Sequence, residues 1–206
     1  MKLFLISIFT LLFISGCTSD KDVVYSKPIN HWVSKINNNI DESNLDLAYD
    51  NFLSLSAEHR EYKKNSNLLL KIILSYIEDN NVEKSNKLLD VYLSRYGNDS
   101  NVDYIHFIKI KANHNSIDLT YRNQVKIIRT IDMCDSFLNT FKDSKYTKDV
   151  IDLKNSLTIK KNQINCHILE YYEKKDQDIG CSLYKKKIDP NFLDNQPKNF
   201  FRNLFE

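Results

Sequence analysis

The chain has 206 residues, of which only three are Gly and three are Pro, where an average soluble chain of this length carries about 25 of the two together. Hairpins, bulges and glycine-rich phosphate loops need those residues, so strand-rich folds, collagen and Gly-rich linkers are excluded and a mainly helical chain with polar turns remains. Hydrophobic residues make up 42% and charged residues 27%, enough for a packed core, and 29 basic against 27 acidic residues argue against a nucleic-acid binder built on basic excess.

Met1-Lys2 is a short positive start, followed by an apolar run from Leu3 to Ile14 that only Ser7 and Thr10 interrupt. A membrane-spanning helix needs about 20 apolar residues, so this run reads as the core of a secretory signal peptide. Ile14-Ser15-Gly16-Cys17 resembles the bacterial lipobox. The resemblance implies a signal peptide over 1–16, cleavage before Cys17 and acylation of Cys17 as the first mature residue. Several acyl chains anchor a protein stably where one does so marginally. Thr18 and Ser19 stand where an inner-membrane retention signal would show Asp, which by the same resemblance favours the outer membrane. Residues 17–27 read as a lipidated flexible tether without periodic pattern.

From Pro28 onward the apolar pattern has helical period. The spacing predicts helices over Ile29–Ile40, Asn44–Ala57, Ser66–Glu78, a segment opening at Asn80 and running to Tyr96, and Asn101–Ala112. Ser43 is expected to cap the second, an Asn80–Glu83 capping box the fourth, and Gly97 to end it in the left-handed conformation. The third is apolar nearly all round and should be central. Arg122–Phe141 follows, with Val125, Ile128, Ile131, Leu138 and Phe141 as its stripe. A long helix then carries Tyr146, Val150, Leu153, Leu157, Ile164, Ile168 and Tyr171. A last helix spans about Asp178 to Ile188 and stops before Pro190. Ala48 and Ser85, Phe52 and Leu89, and Leu55 and Tyr92 each lie 37 positions apart, near the tetratricopeptide period. Small residues at Ala48, Ser85 and Gly180 would let helices approach. The expected fold is all-α, a single-domain tetratricopeptide-like superhelix of about four helix pairs over 28–188, with an irregular helical bundle as the alternative. Residues 189–206 are a tail or a capping helix starting near Pro197.

Several stretches resemble the BamD family, the tetratricopeptide-like lipoproteins of the outer-membrane β-barrel assembly machinery, in a short version. Asn101-Val102-Asp103-Tyr104, Asp143-Ser144-Lys145-Tyr146-Thr147-Lys148-Asp149 and Leu169-Glu170-Tyr171-Tyr172-Glu173 come in the family's order and at similar distances. Read locally, Asp103 and Ser144 are caps, and Tyr104, Tyr146 and Tyr171 are core residues. The resemblance implies a non-enzymatic scaffold that faces the periplasm, holds a central BamA-like barrel subunit and receives unfolded outer-membrane clients. It places the client groove beside the turn between the first two pairs, here His59 to Lys64 with Arg60 and Tyr62 as candidates, although the family's Pro and Gly are missing. It places the main-partner contact in the last pair, where Tyr184 stands at the position of a family arginine, followed by Lys185 and Lys186. A lysine supplies the charge but not the bidentate geometry of a guanidinium. The rival reading is a repeat lipoprotein that regulates a peptidoglycan enzyme or another envelope complex.

No nucleotide, metalloprotease or hydrolase motif is present in the sequence, and the five histidines, including His106 and His114, lack metal-ligand spacing. No cofactor, metal or catalytic residue is expected. Beyond Cys17 stand Cys134, Cys166 and Cys181. Cys166 and Cys181 are either a pair across the turn near Asp176 or, with Cys134, small buried apolar residues. Replacing Cys17→Ser should abolish incorporation of a labelled fatty acid and release the chain from the membrane fraction. Retained label would overturn the anchor assignment.

Overall fold

A computed structural model describes residues 26–97, 101–118 and 120–194. The signal peptide, Cys17, nearly all of the tether and the tail beyond Asp194 lie outside the described residues. Every regular element within them is helical: α1 (Ile29–Asp41), α2 (Leu45–Glu58), α3 (Asn65–Glu78), α4 (Val82–Tyr96), α5 (Val102–Asn115), a 3-10 turn (Tyr121–Asn123), α6 (Gln124–Thr140), α7 (Thr147–Glu173), α8 (Asp178–Lys185) and α9 (Pro190–Asp194). Each of α1 to α7 packs on the next, and α5 also meets α7. This is the expected all-α ladder of tetratricopeptide-like pairs: α1–α2, α3–α4, α5–α6 and α7–α8.

The repeat is visible in the packing. Ala48, Phe52 and Leu55 in α2 are fully buried, and so are Ser85 and Leu89 in α4, with Tyr92 at 4% exposure. α3 lies between these layers and buries Leu69, Ile72 and Ile73 completely, each contributing about 1.5–3 kcal/mol of hydrophobic stabilisation. One core cluster runs from Trp32 and Ile36 to Ile105 and Ile108, and a second gathers Ile110, Ile127, Cys134, Phe137, Val150, Leu157 and Ile164. Phe107 of α5 packs against both. Polar ties cross the neighbouring layers. The Asn86 and Asn113 amides exchange two hydrogen bonds of 3.1 and 3.0 Å, and Lys109 pairs with Asp90 and Lys154 with Asp135.

The helix reversals are built without glycine. Ser43, Asn80 and Asp176 have φ of 59°, 56° and 50°, and they occupy the turns inside the first, second and fourth pairs. In each turn the left-handed residue donates its N–H to the carbonyl three back and its successor donates to the carbonyl five before itself. The bonds are Ser43 to Ile40 and Asn44 to Asn39, Asn80 to Ile77 and Asn81 to Tyr76, and Asp176 to Glu173 and Gln177 to Tyr172, all 2.7–3.1 Å. These bonds satisfy the helix's last carbonyls, as a glycine-closed helix end does.

That geometry corrects the expected caps. Ser43 and Asn80 are the turn residues, so the helices open one position later, at Asn44 and Asn81. The Asn81 side chain accepts from the Lys84 N–H at 3.2 Å, whereas Asn44 makes no such bond. Gly97 is right-handed, with φ −67°; it is confined by close approach, since a Cβ there would collide with the Leu93 carbonyl oxygen. The stripe of α6 is also rotated. Ile127, Thr130, Cys134 and Phe137 are buried, while Val125 and Ile128 are 58% and 49% exposed. The buried set has three- and four-residue spacing that matches Val150, Leu157 and Ile164 on α7, the pattern of two helices packed along a seam. Tyr171 leaves the long stripe and is exposed.

The last pair is thinner. α8 ends at Lys185, and the chain continues through a turn to Ile188, which is 3% exposed. Pro190 opens a further short helix, α9. Gly180 sits against the Tyr172 ring, which a Cβ would penetrate, so this glycine does permit the close approach of α8 to α7.

A left-handed backbone is strained for residues bearing a Cβ, least for Asn and Asp and more for Ser. Ser43→Gly should therefore raise stability by about 0.5–1 kcal/mol and Asn80→Gly by less, as read from urea unfolding midpoints. A loss of stability at Ser43→Gly would show that its side chain, not its backbone, matters.

Candidate partner-binding surfaces

The turn between α2 and α3 forms the first surface. Residues Glu58 to Lys64, with Ile29 of α1, line an open groove of about 640 Å³. Tyr62 is half-buried against the first core cluster, and Arg60 is exposed at the rim. The turn is held from inside by Asn65, 4% exposed, whose amide donates to the carbonyls of His59 at 3.1 Å and Arg60 at 3.3 Å. Backbone bonds from Tyr62 to His59 and from Asn65 to Tyr62 complete the turn, doing with an amide what Pro and Gly would do by backbone restriction.

The start of the described chain is fastened to this groove. The Glu58 carboxylate accepts the Lys27 N–H at 2.9 Å and the Trp32 indole N–H at 2.8 Å. His59 donates through Nε2 to the Lys27 carbonyl at 2.7 Å, and the Lys27 ammonium lies 5.4 Å from the Trp32 ring centre. Glu58, Trp32 and Asn65 were not among the residues singled out from sequence. The lone tryptophan near the start of the first helix was the available signal.

The second surface is in the fourth pair. Tyr184 is half-buried and stacks on Tyr172 with ring centres 5.7 Å apart. The Lys187 ammonium lies 4.2 Å from the Tyr184 ring centre. Tyr184 is thus also a packing residue, while Lys185 and Lys186 are exposed. Arg60 and Tyr62 are not brought together with Tyr184 to Lys186; the two sets sit in different pairs along the ladder.

The three sequence motifs prove to be joints between helices. Asp103 and Ser144 are not independent local caps: the Ser144 hydroxyl donates to Asp103 Oδ2 at 2.7 Å, and the other Asp103 oxygen accepts the Tyr104 N–H. Tyr146 lies 5.7 Å from Tyr104 and stacks on Phe107 at 4.5 Å. The first two motifs therefore lock α5 to the turn between α6 and α7. In the third, Tyr172 receives Gly180 and Tyr184 of α8, and Tyr171 points outward.

Cys134, Cys166 and Cys181 are free thiols. Burial pushes the Cys134 and Cys166 thiols up to about 11, which leaves them protonated and unreactive at neutral pH. His106 packs on the Phe141 ring, and His114 Nε2 lies 3.1 Å from the Ser156 hydroxyl. Among the described residues no group of three or more His, Cys, Asp or Glu could hold a metal ion, and no helix is long and apolar enough to cross a membrane.

The Trp32 indole N–H, foremost, holds the Glu58 carboxyl below its ordinary value of 4.5; burial opposes it, and the Lys27 N–H adds to the lowering. A carboxyl depressed in the folded state contributes stability above its unfolded pKa, and the contribution disappears as pH falls through the folded value. Glu58→Gln should therefore lower the unfolding midpoint at neutral pH, followed by Trp32 fluorescence, and the gap to the parent should close as pH drops below 4.5. A gap that stays constant with pH would refute this role.

A family model for outer-membrane lipoproteins, YfiO, matches residues 27–183, which take in the clamp that Glu58 and His59 close on Lys27 and nearly all of the four pairs. The chain is also 25% identical over 177 residues to the outer membrane protein assembly factor BamD of Helicobacter pylori, covering 85% of this chain and 80% of that protein. With its motifs acting as inter-helix joints and the family model spanning most of its length, the chain belongs to the YfiO family of outer-membrane lipoproteins.

Proposed function

We propose that this protein is a lipid-anchored periplasmic scaffold of the β-barrel assembly complex, which holds a BamA-like central subunit and helps insert unfolded barrel clients into the outer membrane. The observation that carries the reading is the family match over residues 27–183, joined to the similarity with an outer-membrane protein assembly factor over most of both chains. The role calls for surfaces rather than covalent chemistry. A stack of helix pairs offers extended faces for segments of other proteins.

Two surfaces divide the work in this proposal. The groove around Arg60 and Tyr62 combines a half-buried ring with exposed cationic side chains, which suits an extended client segment with apolar and acidic or carbonyl groups. The last pair presents Lys185 and Lys186 beside Tyr184, which suits an acidic face of the central subunit. Lipidated Cys17 stands nine positions before Ser26, so the tether spans at most about 30 Å. The clamp at Glu58 and His59 would then hold the client groove within that distance of the anchor.

Depletion of the protein should lower the amount of folded outer-membrane barrels, and the protein should co-purify with a BamA-like subunit. Lys186→Glu, at an exposed position, and Tyr184→Glu should each weaken that retention. Lys186→Glu matters most because Tyr184 also packs on Tyr172. Normal barrel levels on depletion, with co-purification of a peptidoglycan synthase or hydrolase, would replace this reading with the regulatory one. Unchanged retention of both variants would sink the last-pair assignment alone.

A further inference from the structure

The clamp at the start of the ladder shows how the first groove grips a polypeptide. Ser26, Lys27 and Pro28 belong to no helix, and Pro28 is extended, with φ −62° and ψ 148°. The segment is held by the backbone of one residue. Glu58 accepts the Lys27 N–H at 2.9 Å, and His59 Nε2 donates to the Lys27 carbonyl at 2.7 Å. The Ser26 hydroxyl oxygen lies 3.5 Å from the same nitrogen. An acceptor and a donor that take both main-chain groups of one residue recognise an extended strand through its backbone, as an exposed sheet edge does.

The side chain of that residue is read as well. The Lys27 ammonium lies 5.4 Å from the Trp32 ring centre, within the range of a cation–π contact. Trp32 is 9% exposed, and its indole N–H is bonded to the Glu58 carboxylate at 2.8 Å. One carboxylate thus orients the ring and holds the backbone of the residue whose charge meets that ring. The combination favours lysine or arginine at this place.

Glu58 and His59 also line the groove of about 640 Å³, together with Ile29, the residue directly after Pro28. They cannot serve the chain's own segment and an incoming one at once. Ser26, Lys27 and Glu58 are exposed, so water competes for these bonds and their net worth is small. The segment is therefore held loosely enough to be exchanged. Its advantage is attachment, which gives it an effective concentration on the order of millimolar.

We propose that Glu58, His59 and Trp32 form a subsite for an extended polypeptide segment carrying a lysine or arginine, and that residues 26–28 occupy this subsite in cis as a displaceable strap. The inference rests on the groove being a receptor for extended segments and adds how it is guarded. A segment that engages the subsite must outcompete the strap, which raises its apparent dissociation constant by the fraction of molecules that are closed. Displacement returns Ser26 and Lys27 to the segment before α1.

The probe is a fluorescein-labelled peptide with the sequence Val24 to Asn30, titrated by anisotropy with the full-length chain in detergent. Lys27→Pro in the protein removes the N–H that Glu58 accepts and leaves the subsite in place. This variant should bind the peptide about threefold to fivefold more tightly than the parent. His59→Ala takes a donor from strap and peptide alike. It should weaken peptide binding about threefold in the Lys27→Pro chain and less in the parent, where the two losses offset each other. A peptide with alanine at its lysine should bind about threefold more weakly. Equal affinity of the parent and a folded Lys27→Pro variant would overturn the strap and leave the groove's role as a receptor standing. Equal affinity of the two peptides would overturn the preference for a basic residue. Absence of binding to every variant would overturn both the strap and the reading on which it rests.

Discussion

The ladder depends on a reversal made by one left-handed residue. At Ser43, Asn80 and Asp176 the chain turns back on itself within three residues of the helix end, which fixes the two helices of a pair as close antiparallel neighbours. A non-glycine residue in that conformation costs about 1 kcal/mol or more, and two backbone bonds per turn offset the cost. The repetition of the same pair of bonds at positions 43 and 80, at the 37-residue interval of the buried landmarks, shows that the repeat is written into the turns as well as the core. The scarcity of glycine therefore does not reflect an absence of tight turns. Polar residues make them.

Joints between pairs are of a different kind. Inside a pair the backbone sets the geometry; between pairs, side chains do. The Ser144–Asp103 bond, the Phe107–Tyr146 stack and the Asn86–Asn113 amide pair each cross from one pair to the next. Net contributions of single hydrogen bonds are about 1 kcal/mol, so no one of them holds the superhelix. Their value lies in direction: each specifies how one layer is rotated on another, which apolar contact alone leaves loose. That explains why the first two stretches by which the chain resembles its family do not coincide with the candidate surfaces. They fix how α5 sits on the turn between α6 and α7.

The order and pairing of α1 to α8 were legible in the sequence because their apolar residues recur at helical spacing, whereas α9, opening at Pro190, was not foreseen. The caps were misplaced by one residue, since Ser43 and Asn80 resemble N-caps but are the turn residues just before them. The face of α6 was misread for another reason. Thr130 and Cys134 are buried but count weakly in an apolar pattern, while Val125 and Ile128 are strongly apolar but exposed. A stripe finder weighs side-chain type and cannot see which neighbour arrives. Tyr171 failed in the same way: its neighbour Tyr172 takes the contact with α8. The candidate surfaces were less legible still. Arg60 and Tyr62 came from resemblance, and the residues that build their groove, Glu58, Trp32 and Asn65, act through bonds between positions that sequence spacing does not connect.

The clamp at the start of the ladder links anchoring to geometry. In the proposed function a lipid at Cys17 would stand nine positions before Ser26, which limits the distance from the anchor but not the orientation. Fixing Lys27 to Glu58 and His59 places the start of the described chain on the end of α2, not of α1. The pull of an anchor would then enter through two helices of the first pair instead of fraying one. Trp32 reinforces this, because its indole bond to Glu58 ties α1 to α2 at the same carboxylate. In the proposed arrangement the first pair would take up that pull, while at the other end α8 is held on α7 by the Tyr172–Tyr184 stack and by the bonds of the 187–189 turn.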